Sequence, residues 1–392
     1  MAPWIYFLPW LLVAALVPFA FASRPRLAEA PPPREEDGQL PLVSIVVPAR
    51  DEAATISTCL ASLLDTTYPR REIIVVDDGS VDGTGDIVRI LAERSDGVIR
   101  VVEGMPLPDG WLGKPWACWQ GYQEARGGVL LFTDADTRHE DGLLGRAVGT
   151  LQASGAGLVS VLPRQLMVSF WERTVLPQIF TILYLRYRNL RRINRSRRPR
   201  DVIANGQFIL MRRPVYERIG GHEAVRTEVV EDLRMAQRVV QAGEQVHLAR
   251  AEAFMETRMY RSLGGIMEGW TKNLALGSRQ SVDPWLRPIL PWLAGVLVLL
   301  FWVAPPLVLL GTYLGLGELP LRQWAAGATG LSLAFWTVMT FRFRIPVVSA
   351  LFYPLGAAVA GALFLRSAAR GRRVHWKGRE YETVPEGQRG AA

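Results

Sequence analysis

The residues of this chain that could do chemistry sit in short acidic clusters, each directly after a run of apolar, mostly β-branched residues. Asp134 and Asp136 form an Asp-x-Asp pair behind residues 129–132. Asp77 and Asp78, with Gly79 and Ser80 next, follow residues 73–76, and Asp51 and Glu52 follow residues 43–47 and Pro48-Ala49-Arg50. Like charges gathered in one cleft repel, and they persist where a cation or an array of donors offsets them. Along an extended chain, residues i and i+2 point to one side, so Asp134 and Asp136 can share one divalent ion. Carboxylate, water and phosphate oxygens are the ligands that Mg2+ and Mn2+ favour. Glu231 and Asp232 open a helical pattern that runs to Val240. Their position fits either stabilisation of a helix N-terminus or proton transfer. Asp82 precedes another helical pattern and reads as a cap.

These clusters need a frame that brings them together. Strands are expected at 43–47, 73–76, 98–102, 129–132, 158–162 and 208–211, with helices at 53–64, 86–93, 115–125 and 140–151 between them. Such alternation predicts an α/β domain with a largely parallel sheet. Ligands of such sheets bind beyond the carboxyl ends of the strands, where the acidic clusters fall. No GxGxxG follows the first strand and no GxxxxGK[ST] occurs, which removes the dinucleotide and P-loop readings. None of the four histidines lies in HExxH, and no GxSxG is present. Cys59 and Cys118 make no CxxC, so a disulfide frame or zinc site has no support. A metal-bound diphosphate without a P-loop leaves nucleotide-sugar chemistry.

The composition adds a membrane. Apolar residues make up 49% of the 392 and 13 are tryptophan, too greasy for an ordinary soluble enzyme. Residues 4–22 carry no charge and are long enough to span a bilayer. A cleaved signal peptide competes there through Ala20-Phe21-Ala22, although no Lys or Arg precedes the run. Three further apolar stretches follow at 289–316, 324–341 and 347–365. Pro305-Pro306 interrupts the first, which marks it as the one to be re-entrant if the basic tail is cytoplasmic. The expected organisation is an N-terminal transmembrane helix (1–23), a Pro-rich linker (24–41) and a catalytic domain (42–285). A C-terminal membrane region (286–366) and a basic tail (367–392) complete it. Net charge is +8, yet eight arginines and no acid lie between Arg186 and Arg200. The positive balance is therefore one local patch, and within 166–200 it abuts an apolar, aromatic stretch. That pairing reads as an interfacial segment on an anionic phospholipid surface, or as a core helix followed by a solvated charge run. Nucleic acid is not expected as a partner, since no nucleic-acid motif accompanies the arginines.

The ordered set Val43-Ser-Ile-Val-Val-Pro-Ala-Arg-Asp-Glu52, Val76-Asp-Asp-Gly-Ser80, Thr133-Asp-Ala-Asp136 and Val230-Glu-Asp232 resembles a family-2 glycosyltransferase over residues 41–273. Gly110-Trp-Leu-Gly-Lys114, Asn205-Gly-Gln207, Met259-Tyr-Arg261 and Trp270-Thr-Lys-Asn273 resemble a membrane subgroup. That subgroup includes hopanoid-associated and carotenoid-type enzymes and, more distantly, ceramide glucosyltransferases. The resemblance implies a GT-A, Rossmann-like nucleotide-sugar-binding domain with one N-terminal and two to three C-terminal transmembrane helices. It also implies roles. Pro48, Ala49, Asp51, Glu52, Asp77, Asp78, Lys114 and Asp134 would hold the donor, expected to be a UDP-sugar. Asp134 and Asp136 would hold Mn2+ or Mg2+. Asp232, beside Glu231, would be the general base, and Asn205, Gly206, Trp270 and Lys272 would face the acceptor.

One departure matters. Polymer-making relatives carry Gln-x-x-Arg-Trp, whereas this chain has Ile266-Met-Glu-Gly-Trp270 and keeps only the Trp. Trp270 fits either stacking on the acceptor or anchoring of a helix at the interface. The expected activity is inverting transfer from a cytoplasmic nucleotide-sugar to a hydroxyl of a membrane lipid acceptor. The enzyme would be a multi-pass protein of the inner or plasma membrane with its catalytic domain facing the cytoplasm. A processive polysaccharide synthase and a non-catalytic membrane scaffold are the alternatives.

Overall fold

The computed structural model describes residues 7–13, 15, 25, 27, 40–187, 189–280, 282–370, 373–376 and 379–382. Most of the expected N-terminal span and linker, and of the basic tail, lie outside these residues. The chain forms two compact units. One holds Arg24–Leu166 and Leu190–Met259; the other holds Met1–Ser23, Met167–Asn189 and Tyr260–Glu382. In this division residues 260–285, expected in the catalytic domain, fall in the apolar unit, and the 166–200 segment is divided between the two.

The α/β unit begins β1 (Val43–Ala49), α1 (Ile56–Leu64), β2 (Arg71–Asp77), α2 (Thr84–Glu93) and β3 (Ile99–Glu103). It continues with α3 (Gly113–Glu124), β4 (Val129–Thr133), β5 (Thr137–His139), α4 (Leu143–Ser154), β6 (Leu158–Leu162) and β7 (Arg164–Gln165). After the excursion into the other unit come α6 (Leu190–Arg195), β8 (Phe208–Arg212), α7 (Arg213–Arg218), α8 (Glu231–Gln241), β9 (Val246–Arg250) and β10 (Met255–Thr257). The main sheet runs β3-β2-β1-β4-β8-β6-β9. Its central strands are unbroken apolar runs because helices cover both faces, and Ile45, Val46, Ile73, Ile74, Leu130 and Leu131 are fully buried.

Two consequences position the site. β1 pairs in parallel with both β2 and β4, so the chain reverses its direction of travel across the sheet at β1. Such a switch point opens a crevice at the carboxyl ends. β8 departs from the expected parallel sheet and runs antiparallel to β4 and β6. Phe208 therefore pairs with Thr133, and the Asn205–Gln207 loop arrives at the carboxyl end of β4. A parallel β8 would have sent that loop to the far edge.

Cys59 and Cys118 are buried in this unit as free thiols. Burial pushes the Cys59 thiol up to about 12 and Cys118 higher still. A thiol is reactive as thiolate, so maleimide at pH 8 is expected to label neither residue in the folded protein and both after denaturation. Rapid labelling of either under native conditions would contradict this packing.

In the apolar unit, α5 (Phe170–Arg186) precedes α9 (Leu263–Gln280), α10 (Leu290–Trp302), α11 (Ala304–Tyr313), α12 (Leu319–Phe343) and α13 (Tyr353–Arg370). Among the described residues two stretches, Leu290–Tyr313 and Val347–Ala369, are long and apolar enough to cross a membrane. α12 is not among them, and it carries Arg322 and Arg342. The first stretch breaks at Val303, just before Pro305-Pro306, where proline removes helical donors. The apolar part of 166–200 forms α5. α5 buries Glu172, Val175, Leu176, Gln178, Ile179 and Phe180, which makes it an internal helix. Gly356 of α13 lets the two helices meet, since a Cβ there would strike the Thr174 carbonyl. Ser169 and Glu172 cap the start of α5 reciprocally.

Candidate active site

Four loops meet at the carboxyl ends of β2, β1 and β4. The first two are stitched together by short polar side chains. Asp51 takes a left-handed φ of 50°. Its N–H donates to Ser80 Oγ at 3.0 Å, and its Oδ1 accepts from Val81 N at 2.9 Å. Glu52 N donates to Thr84 Oγ1 at 2.8 Å. Asp82 accepts from Ala53 N, Thr84 N and Thr84 Oγ1. These donors outweigh its slight burial and lower its pKa. Asp82 is thus a loop staple one residue before the N-cap Gly83, close to the capping role expected for it.

Asp77 Oδ1 accepts from Ser80 N at 3.0 Å, which folds the turn. Asp78 is buried at 6% exposure, and Arg50 serves it twice. The guanidinium donates to the Asp78 carbonyl at 2.7 Å and stands 3.7 Å from Oδ2. Sequence reasoning passed over Arg50. A lone cation inside the Pro48–Glu52 run was the signal that could have found it. Pro48 and the buried Ala49 supply backbone, and Ala49 O accepts from Asp78 N at 2.8 Å.

Lys114, in the first turn of α3, reaches two carboxylates. Its Nζ lies 2.7 Å from Asp134 Oδ1 and 2.9 Å from Glu231 Oε1. Burial alone would lower the lysine pKa, but these two charges hold it well above its usual value. The lysine joins the end of β4 to the start of α8. Asp232 sits beside it. Its Oδ2 accepts from Gly206 N at 2.8 Å and its Oδ1 from Leu233 N at 2.7 Å. Gly206 has to be small: a Cβ would stand 3.1 Å from Lys114 Nζ and 3.2 Å from Asp232 Oδ2. Burial, then the Glu231 charge, push Asp232 up to about 6, with Lys114 opposing.

Asp134 and Asp136 come close, though by a different route from the one expected. β4 ends at Thr133 and the chain turns at 135–136, so no extended i, i+2 geometry exists. The turn is held by Thr137 Oγ1 donating to Asp134 O at 2.7 Å. Burial, then the charges of Asp134 and Glu52, push Asp136 up to about 7. Asp136 Oδ1 is buried with no hydrogen-bond partner. An orphaned carboxylate oxygen beside a second carboxylate is the donor set a divalent cation fits. Among the described residues no three Asp, Glu, His or Cys side chains surround one point. A metal here would take Asp134 and Asp136 and complete its shell from water and phosphate oxygens.

The residues expected on the acceptor side divide. Asn205 directs its amide to Val161 O at 3.0 Å and Gln207 Oε1 at 3.3 Å. Its own N–H donates to Ser160 Oγ at 2.8 Å. Asn205 therefore fixes the loop that presents Gly206, and its amide is directed into the protein. Trp270 and Lys272 lie on α9 in the apolar unit. Trp270 is 7% exposed and packs edge-on against Phe180 at 5.7 Å. Behind Glu231, burial lowers His222 to about 3. It is neutral and hydrogen-bonded to Tyr216 at 2.9 Å.

Residues 44–220 match the family model described as Glycosyl transferase family 2. That match covers β1 to the end of α7 and includes Asp51, Asp77, Lys114, Asp134 and Asp136. The chain is 26% identical over 360 residues to 4,4'-diaponeurosporenoate glycosyltransferase of Staphylococcus aureus (strain USA300), covering 88% of this chain and 89% of that one. In fold it resembles the mannosyltransferase PcManGT from Pyrobaculum calidifontis, with TM-score 0.56 and 20% identity over 94% and 95% of the two chains. TarS 1–349 of S. aureus aligns with TM-score 0.43 and 14% identity over 88% and 97%. The likeness to PcManGT, with the family-model match, gives the α/β unit the GT-A fold.

Proposed function

We propose that this glycosyltransferase is a membrane-anchored, inverting enzyme that moves a sugar from a nucleotide-sugar, a UDP-sugar by family expectation, to a hydroxyl of a lipid. The observation that carries the reading is Asp232. It is a carboxylate held by a backbone N–H, poised near 6 by burial and by Glu231, and placed beside the Lys114 bridge to Asp134. A base needs to be ionised at working pH yet retain proton affinity. Asp232 takes the proton of the acceptor hydroxyl, whose oxygen attacks the anomeric carbon from the face opposite the leaving diphosphate. One displacement inverts the configuration. Asp134 and Asp136 would hold Mn2+ or Mg2+, and such an ion offsets charge developing on the departing diphosphate. Lys114 supplies a second, fixed positive charge near the same oxygens. Asp51, Glu52, Asp77 and Asp78 line the switch point where base and ribose of the donor would lie.

Support for the donor and metal comes from PcManGT, which was solved with GDP-Man and Mn2+. Support for a lipid acceptor comes from the carotenoid-type relative and from the two candidate spans. In this reading the protein is multi-pass and its catalytic side faces the cytoplasm, as the positive-inside rule favours for a basic tail on that side. Membranes holding the wild type, given radiolabelled nucleotide-sugars with Mn2+, are expected to put label into the organic phase, and chelator is expected to abolish it. Label in a large ethanol-insoluble product would establish a polysaccharide synthase instead. Transfer to water-soluble acceptors in lipid-free detergent would overturn the lipid reading.

A further inference from the structure

α6 and the residues after it carry a single-sign surface that the proposed reaction does not use. Arg191, Arg192, Arg195, Arg197, Arg198 and Arg200 are all exposed, and no acid occurs from Arg186 to Arg200. The patch is built onto the α/β unit and is no loose tail. Leu190 and Ile193 are buried at 4% and 5% exposure, which turns the helix's arginines outward. Asn194 locks the helix to β9 from both sides of its amide. Its Nδ2 donates to Leu248 O at 3.2 Å, and its Oδ1 accepts from Leu248 N at 2.9 Å. Asp201 closes the segment by accepting from Ser196 Oγ at 3.3 Å. Arg197 also donates to Gly243 O at 2.9 Å.

We infer that this patch is a docking surface for anionic phospholipid headgroups. The inference rests on the membrane reading above. Covalent connection supplies the distance: α5, an internal helix of the apolar unit, ends at Arg186, and Leu190 starts α6 four residues later. Four residues span at most about 14 Å. If α5 lies in the bilayer, its charged end emerges at the headgroups, and Arg191 and Arg192 follow it within about two screening lengths of about 8–10 Å each. Guanidinium forks match phosphate oxygens, and anionic leaflets attract such clusters. Acting through the patch, the lipid surface would hold the GT-A unit against the leaflet.

Arginines are also trypsin sites, which gives a readout independent of activity. The full chain would be reconstituted in nanodiscs of phosphatidylcholine alone or with about one-third phosphatidylglycerol, a fraction that carries an appreciable surface potential. Cleavage within 190–200 is expected to slow at least fivefold in the anionic discs and to recover at high salt. Cleavage at Arg89 and Arg94, exposed on the opposite flank of the sheet order, serves as control and should not change. Equal rates in the two discs, whether fast or slow, would overturn the inference. So would protection in neutral discs by added RNA or by inorganic diphosphate. Failure of the chain to enter discs at all would instead remove the membrane reading on which it rests.

Discussion

Replacing Asp232 with asparagine is expected to cut turnover by roughly a thousandfold, the usual scale for loss of a general base, while making the protein more stable. Asparagine keeps an oxygen for Gly206 N and the volume of the side chain, but it cannot take a proton. The stability gain follows from the sign of the shift. The folded carboxyl, near 6, lies above its ordinary value of 3.8, so the fold disfavours the charged form. Between those values the folded state binds more protons than the unfolded one, and wild-type stability falls as pH rises through that window. The penalty is fully present above 6. With the group partly exposed, it amounts to roughly 1–3 kcal/mol. Asparagine removes it. Calorimetry should show a higher Tm for the variant at pH 7.5 and convergence with wild type near pH 4, and wild-type kcat should lose activity below an apparent pKa near 6. Near-wild-type turnover in the variant would end Asp232's role as base.

Lys114→Met is the complementary case, in which activity and stability fall together. The lysine pairs with both Asp134 and Glu231, and Asp136 and Asp232 lie in the same charged neighbourhood. Removing one partner of a buried pair leaves uncompensated charge and costs on the order of 3–5 kcal/mol, a figure reduced here because the lysine is 24% exposed. The loss should be largest at neutral pH and shrink as the carboxyls protonate on acidification. Turnover should fall by about a hundredfold or more, as for removal of one preorganised electrostatic group. A second readout separates packing from charge. Lys114 covers an oxygen of Asp134 that a divalent ion would use, so Mn2+ without nucleotide should raise the Tm of Lys114→Met more than that of wild type. An equal rise in both would mean that lysine and metal do not compete for Asp134.

Much of this frame was legible from local pattern. Apolar β-branched runs bounded by acidic turns marked β1, β2, β4, β6 and β8, and the helices between them lie where expected with shifted ends. Burial on both faces leaves such strands few alternatives. The order of Asp51, Asp77, Asp134 and Asp232 along the chain sufficed for the family resemblance, and the matched family model agrees with it.

Amino-acid types and spacing alone therefore determined the α/β class, the acidic rim of the sheet and the apolar C-terminal helices. The reason is that secondary structure follows short periodicities and turn chemistry. Tertiary structure decided the rest. It reversed β8, so that Gly206 N meets Asp232. It placed Lys114 between Asp134 and Glu231, residues 20 and 117 positions away. It bent the chain after Thr133, so that Asp134 and Asp136 gather through a turn. It buried the middle of α5 and left the arginines of the following segment exposed. Each of these depends on contacts between distant segments, which no local pattern records. For the same reason the contact of Trp270 with Phe180, edge-on at 5.7 Å across 90 positions of sequence, is not written in either segment.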